Sequence, residues 1–223
     1  QSAYTSFEIG EIGTMYGGAV NADYNKTVKV YGVTSAGTKV QLPSSDYVLS
    51  SLTTGLGVTG SAITVTSPSS FDFGTASAPK EAKASFLVTI QDANVSGAAL
   101  QILSKEVTLS GVAPKATTLT LDTDLVSAGK ATLTITSGAS ITASAITAVV
   151  EEVVDQYGVD WMAAPSITIT NVTKATGSNF AVADNGSTAP VISGAIRGDK
   201  FTATINYGGL STAIEFTVFV ASN

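Results

Sequence analysis

Val149-Val150-Glu151-Glu152-Val153-Val154-Asp155-Gln156-Tyr157-Gly158-Val159-Asp160-Trp161 is the stretch on which the fold class turns. An apolar pair, an acidic pair and a second apolar pair approximate helical spacing, and the segment from Ala145 to Tyr157 can be drawn as a helix. Against that, the four valines are β-branched and stiff at χ1, and no capping box precedes them. We therefore read a strand, a tight turn closing on Gly158, and a second strand. The helix remains the competing reading of this one segment.

The same strand–turn–strand pattern occurs earlier. Lys29 to Val40 lies over Val150 to Trp161, with Gly37 opposite Gly158. Further on, Thr59-Gly60-Ser61-Ala62-Ile63-Thr64-Val65 matches Thr176-Gly177-Ser178-Asn179-Phe180-Ala181-Val182. Phe86-Leu87-Val88-Thr89-Ile90-Gln91 matches Phe201-Thr202-Ala203-Thr204-Ile205-Asn206, and both halves close on an alternating strand, Leu100 to Leu109 and Ala213 to Val220. Matches that keep their order along the chain indicate a tandem repeat. The seam falls near Gly111-Val112-Ala113-Pro114-Lys115, because Pro114 cannot donate to a ladder and favours an extended connection. We place one domain at 1–113 and a second at 114–223.

Elsewhere the period is two. Thr117-Thr118-Leu119-Thr120-Leu121, Ala131 to Thr136, Ser166 to Thr170 and Ser61 to Thr66 alternate hydroxyl and aliphatic side chains, as half-buried strands do. Turn signals separate them at Ser35-Ala36-Gly37, Ser127-Ala128-Gly129, Asp184-Asn185-Gly186-Ser187 and Gly208-Gly209. Thr, Val and Ile supply 68 of the 223 residues, a bias that suits pleated sheets. Halves of about 110 residues fit immunoglobulin-like sandwiches, so the expected fold is all-β: two tandem immunoglobulin-like β-sandwich domains. Phe86, Phe201 and Trp161 are the expected core anchors.

The inventory of reactive groups is short. The chain has no cysteine and no histidine, which excludes disulfides, thiolate nucleophiles, Cys/His zinc sites and Ser-His-Asp triads. With 17 Asp and Glu against 11 Lys and Arg, the net charge is −6, and charged residues make up only 13% of the chain. No cluster of Lys and Arg offers itself to a phosphate backbone, so nucleic acid is not an expected partner. No apolar run reaches the roughly 20 residues that cross a bilayer. Gln1 does not open a signal peptide, and a longer exported precursor is compatible with this start.

The turn Val154-Asp155-Gln156-Tyr157-Gly158 between two strands resembles the signature of bacterial immunoglobulin-like domains, which occur in tandem in surface-layer proteins and in invasin- or intimin-type adhesins. Ala113 to Leu121 resembles the first strand of such a module after its linker. The Ala/Thr/Val/Gly-rich composition, free of His and Cys, is similar to that of surface-layer (S-layer) proteins from Gram-positive bacilli. The first half departs from the pattern, with Thr34-Ser35-Ala36-Gly37 at the turn. The resemblance implies an extracellular, non-enzymatic module of a self-assembling S-layer on the bacterial cell wall. Its partners would be copies of itself, its wall attachment would lie in domains outside these residues, and calcium is the ion such layers frequently need. The alternative is the stalk or ligand-presenting domain of an adhesin; an accessory domain of a secreted hydrolase is a third.

Carboxylates are the remaining candidate ligands. Asp122-Thr123-Asp124 follows the first strand of the second half, where alternation puts both acids on one face and a calcium site could begin. The competing reading is two solvated acids ending a strand. Asp155 and Asp160 bracket the Tyr157-Gly158 turn and are expected to bond nearby backbone N–H groups. Glu151 and Glu152, as strand neighbours, should point to opposite faces and so cannot act as a glycosidase pair. Arg197 sits in a loop, open to a partner's carboxylate or idle. Tyr16, Tyr24 and Tyr31 gather in the first half, as a glycan platform or as packing. Asn25, Asn94, Asn171 and Asn185 each begin an Asn-X-Ser/Thr triplet, and glycosylation there is not expected in a bacterial protein.

Overall fold

A computed structural model describes residues 3–91 and 101–221. The chain is all-β and divides into two compact units, Gln1–Pro114 and Lys115–Asn223.

The first unit contains β1 (Ser6–Ile9), β2 (Met15–Tyr16), β3 (Lys26–Thr27), β4 (Val30–Val33), β5 (Lys39–Gln41), β6 (Tyr47–Ser51), β7 (Leu56–Thr59), β8 (Ala62–Val65), β9 (Gly74–Thr75), β10 (Ala78–Pro79), β11 (Glu81–Ile90) and β12 (Gln101–Ser110). Its main sheet runs β2-β12-β11-β6, with β2 parallel to β12 at its edge. Smaller sheets β1-β4-β5 and β3-β8-β7 supply further strands to the same core. Phe86, Val88, Ile63, Val30 and Val107 are fully buried there. The Tyr47 hydroxyl, inside this core, donates to the Val28 carbonyl at 2.8 Å.

The second unit contains β13 (Ala116–Leu121), β14 (Val126–Ser127), β15 (Lys130–Ile135), β16 (Ile141–Thr142), a single-turn helix α1 (Ala143–Thr147), β17 (Val150–Asp155), β18 (Ser166–Thr173), β19 (Ala181–Ala183), β20 (Val191–Ser193), β21 (Lys200–Tyr207) and β22 (Leu210–Val220). Its main sheet, β14-β15-β22-β21-β18, repeats the plan of the first, with β15 parallel to the last strand and the two-residue β14 added outside it. β13 pairs with β17 as β1 pairs with β4. Adjacent last strands flanked by the third long strand give the C–F–G order of an immunoglobulin-type sheet, with A–B pairing apart from it.

The contested segment resolves into both forms in sequence. α1 ends before Val150, burying Ile146, and the valine-rich run that follows is the strand β17. Two expectations need correction. The core aromatics of the second unit are Tyr207 and the trio Phe180, Phe201 and Phe216, whose ring centroids are 5.6 and 5.3 Å apart in successive pairs, whereas Trp161 is only partly buried at the core's margin. The middle repeat match also slips by one strand. β8 lies between β3 and β7, and its counterpart between β16 and β19 is β20, not the Asn179–Val182 segment paired with it above. Short strands of like composition on either side of one turn made the two alignments indistinguishable by pattern.

Candidate functional site

The turn at residues 155–159 shows what each residue of its pattern does. Asp155, 2% exposed, uses Oδ1 to accept the N–H groups of Tyr157 at 2.8 Å and Val159 at 3.1 Å. Its own N–H donates to the Val159 carbonyl at 2.9 Å, and its carbonyl accepts from Gly158 at 3.1 Å. Gly158 takes φ +74°, a region open to glycine without a Cβ clash. Tyr157 is buried, and Gln156 Oε1 accepts the Lys115 N–H at 2.8 Å, tying the start of β13 to the turn.

The first unit builds the same turn from different residues. Thr34 N–H donates to the Thr38 carbonyl at 3.0 Å, Gly37 N–H to the Thr34 carbonyl at 2.9 Å, and Thr38 N–H to Thr34 Oγ1 at 3.2 Å. Thr34 therefore stands where Asp155 stands, and Gly37, at φ +79°, where Gly158 stands. The departure at residues 34–37 preserves the hydrogen-bond plan with a hydroxyl in place of a carboxylate.

Asp160 is exposed, and its backbone bridges to Val154. Glu151 and Glu152 do not divide between two faces. The β13–β17 register shifts between Thr120 and Leu121, which oppose Glu152 and Val150, so Glu151 is the extra residue of a bulge. Both glutamates reach solvent and line one open recess with Val153, Asp160, Trp161 and Met162. Strict alternation was the wrong premise at this position.

Asp122 and Asp124 lie beyond the end of β13, in a turn rather than on a strand face. Asp122 Oδ1 accepts the Asp124 N–H at 2.8 Å, and its carbonyl accepts from Val126 at 2.9 Å. One carboxylate oxygen of the pair is thus engaged in the turn. Calcium takes six to eight oxygens, and no group of three or more His, Cys, Asp or Glu side chains able to hold a metal occurs among the described residues.

Two groups carry more structure than their sequence suggested. Asp199 is fully buried and accepts the Ala175 N–H at 2.7 Å, the Ser178 hydroxyl at 2.6 Å and the Ile196 N–H at 2.8 Å. Burial works to raise its pKa, but the Ser178 hydroxyl, the two backbone donors and the Lys174 charge outweigh burial and leave the pKa below the usual carboxylate value. Sequence reasoning passed over it because Gly198-Asp199-Lys200 reads as an ordinary turn. Arg197 lays its guanidinium 4.1 Å from the centre of the Phe219 ring and donates to the Val220 carbonyl at 3.3 Å.

The tyrosines do not form a platform. Tyr16 and Tyr24 meet edge to face with centroids 5.0 Å apart, while Tyr31 packs against Gly10. Among the glycosylation triplets, the Asn185 amide donates to the Ile169 carbonyl at 3.0 Å and the Asn25 Oδ1 is buried. Asn171 is exposed at φ +50°, and Asn94 lies outside the described residues. No helix among the described residues is long and apolar enough to cross a membrane.

No family model matches the chain, and no curated protein matches it in sequence. Among solved structures, domains 4 and 5 of the S-layer protein SbsC are similar over 99% of this chain and 100% of that one, at 18% identity and a TM-score of 0.33. A longer SbsC structure, residues 31–844, is similar over 98% of this chain and 28% of its own, at 17% identity and a TM-score of 0.32. A titin fragment, A168–A169, is similar over 96% of each chain at 11% identity and a TM-score of 0.29. Likenesses this loose do not speak for function.

Proposed function

We propose that the chain is a non-enzymatic structural module of a bacterial cell-surface layer that assembles from copies of itself. The observation that most supports this reading is the use to which the buried polar groups are put. Asp155 and Asp199, the buried carboxylates of the described residues, each close a turn or a loop crossing of the fold. The same sheet plan and the same turn are built twice in tandem around two apolar cores. Such an arrangement supplies rigid bricks. The resemblance of residues 154–158 to bacterial immunoglobulin-like modules supports a position outside the cell, with wall attachment assigned in this proposal to other domains.

A surface poor in charge loses little hydration when it meets a copy of itself, which favours lateral association. Calcium enters this proposal as an assembly ion met by Asp122 and Asp124 at a contact where a neighbouring copy completes the oxygen set. Neither nucleic acid nor membrane insertion has a part in it. Negative-stain microscopy of the full-length protein, with calcium and with chelator, tests the reading. Sheets or tubes are expected; monodisperse particles in every condition would overturn it and favour the adhesin stalk.

A further inference from the structure

Asn185-Gly186 is the only place in the chain where glycine follows asparagine. With no side chain beside it, a glycine nitrogen approaches the preceding carboxamide with the least hindrance of any residue. The pair lies in the loop between β19 and β20, and both residues are open to solvent.

The folded loop restrains both groups that would react. Asn185 Oδ1 accepts the Ile169 N–H at 2.7 Å, and Nδ2 donates to the Ile169 carbonyl at 3.0 Å. The Gly186 N–H donates to the Ile167 carbonyl at 2.8 Å, and the Ile167 N–H donates to the Ser187 carbonyl at 2.9 Å. Attack on the carboxamide requires Asn185 to swing onto the Gly186 nitrogen and that nitrogen to lose its proton. The bonds to Ile169 and Ile167 have to be released first.

We propose that Asn185 is a self-modification site gated by this loop: docked on β18 the pair is inert, and a loop that has opened and reacted no longer docks as before. The Gly186 nitrogen gives up its proton and bonds to Asn185 Cγ, the Cγ–Nδ2 bond breaks, and ammonia leaves. Water then opens the five-membered imide at either of its carbonyls, giving aspartate or isoaspartate. Nothing is oxidised or reduced, and water is the only co-reactant.

The product no longer matches β18. An ionised carboxylate only accepts, so the bond to the Ile169 carbonyl is lost and two oxygens face each other there. In the isoaspartyl form the backbone is also longer by a methylene, which shifts Gly186 from the Ile167 carbonyl. Both changes favour the open loop, and an open loop uncovers the N–H and C=O groups of Ile167 and Ile169 at the sheet edge. Such openings occur locally, without global unfolding, so the modified fraction records how long the edge has stood open.

The test uses the full chain, incubated folded and in urea, with conversion at Asn185 followed by peptide mapping. Hydroxylamine, which cleaves at the imide, marks the same bond by releasing fragments 1–185 and 186–223. Conversion is expected to be at least about tenfold faster in urea, the factor for a loop open no more than about a tenth of the time. Equal rates in the two conditions overturn the gate. Asn185→Asp should speed hydrogen exchange at the Ile167 and Ile169 N–H groups at least about tenfold, while exchange in β21 and β22 stays as in the parent. The modified parent chain, separated by its added negative charge, gives the same reading without a substitution. Parent-like protection of Ile167 and Ile169 in both overturns the switch.

Discussion

The carboxamide of Asn185 stands in for a strand beside Ile169. Its Oδ1 accepts the Ile169 N–H at 2.7 Å, and its Nδ2 donates to the Ile169 carbonyl at 3.0 Å. Two residues earlier the backbone takes over, with the Ile167 N–H donating to Ser187 at 2.9 Å and the Gly186 N–H to the Ile167 carbonyl at 2.8 Å. The free edge of β18 is thereby occupied, which guards against edge-to-edge pairing. Asn185→Leu should cost about 1–3 kcal/mol, the desolvation of two groups left without partners, read as a lowered urea midpoint. It should also raise aggregation of the folded protein. A variant as stable and as soluble as the parent would show that the loop backbone suffices.

Asp199 predicts a pH dependence with a definite sign. Its folded pKa is depressed by the Ser178 hydroxyl, two backbone donors and Lys174 against the opposing pull of burial. The stability it confers is therefore fully present above the unfolded carboxylate value of about 3.9 and is lost as pH falls through the lower folded value. Asp199→Asn turns an amide NH₂ toward donors and should cost about 3 kcal/mol at pH 7. The gap between parent and variant should narrow steadily in melts taken below about pH 4, where the parent's carboxylate becomes protonated. A gap independent of pH would remove the charge from this account.

The two versions of one turn supply a swap experiment. Asp155→Ala removes the acceptor of two N–H groups and should cost about 2 kcal/mol. Asp155→Thr, copying Thr34, keeps a bond to the Val159 N–H and should recover about half of that. If Thr proves no better than Ala, the equivalence of the two turns is geometric only.

Phe73 is held between two glycines. A Cβ on Gly17 would lie 2.6 Å from the ring's Cζ, and one on Gly111 would lie 2.6 Å from Phe73 Cβ and Cγ. Gly17→Ala, whose added Cβ would meet ring atoms that leucine lacks, should destabilise the first unit by about 1–3 kcal/mol through overpacking. The penalty should shrink in a Phe73→Leu background, measured as a double-mutant cycle; additive effects would place the strain elsewhere.

We further propose that 1–114 and 115–223 fold as separate fragments, because each encloses its own core. Phe201→Ala should then cost about 3–5 kcal/mol in the 115–223 fragment alone. In the full chain it should lower one melting transition and leave the other in place.

Much of the framework was legible in the residues. Phe86 and Phe201 aligned because both stand in long central strands, β11 and β21, whose alternation is uninterrupted and whose inward side is wholly apolar. Alternation failed where the backbone departs from it. The bulge at Glu151 leaves no mark in composition, and the turn beyond Leu121 removes Asp122 and Asp124 from a shared strand face. Asp199 and Asn185 were hidden for another reason. Both reach partners 16 to 24 residues away, Asp199 in addition to the nearby Ile196, and their neighbours in sequence resemble any surface turn.

The parallel strands β2 and β15 bear on what happens when the chain is pulled. In the second unit, β15 runs alongside β22 for six residue pairs, from Lys130–Glu215 to Ile135–Val220. Tension drawing β15 and β22 past each other loads all of those bonds in shear, so they must fail together, whereas an antiparallel terminal hairpin would unzip one bond at a time. The first unit has only Met15–Leu109 and Tyr16–Ser110 in the same place. Stretched from its ends, the chain should yield at this shorter clasp first, making the first unit the mechanical fuse and the second the anchor.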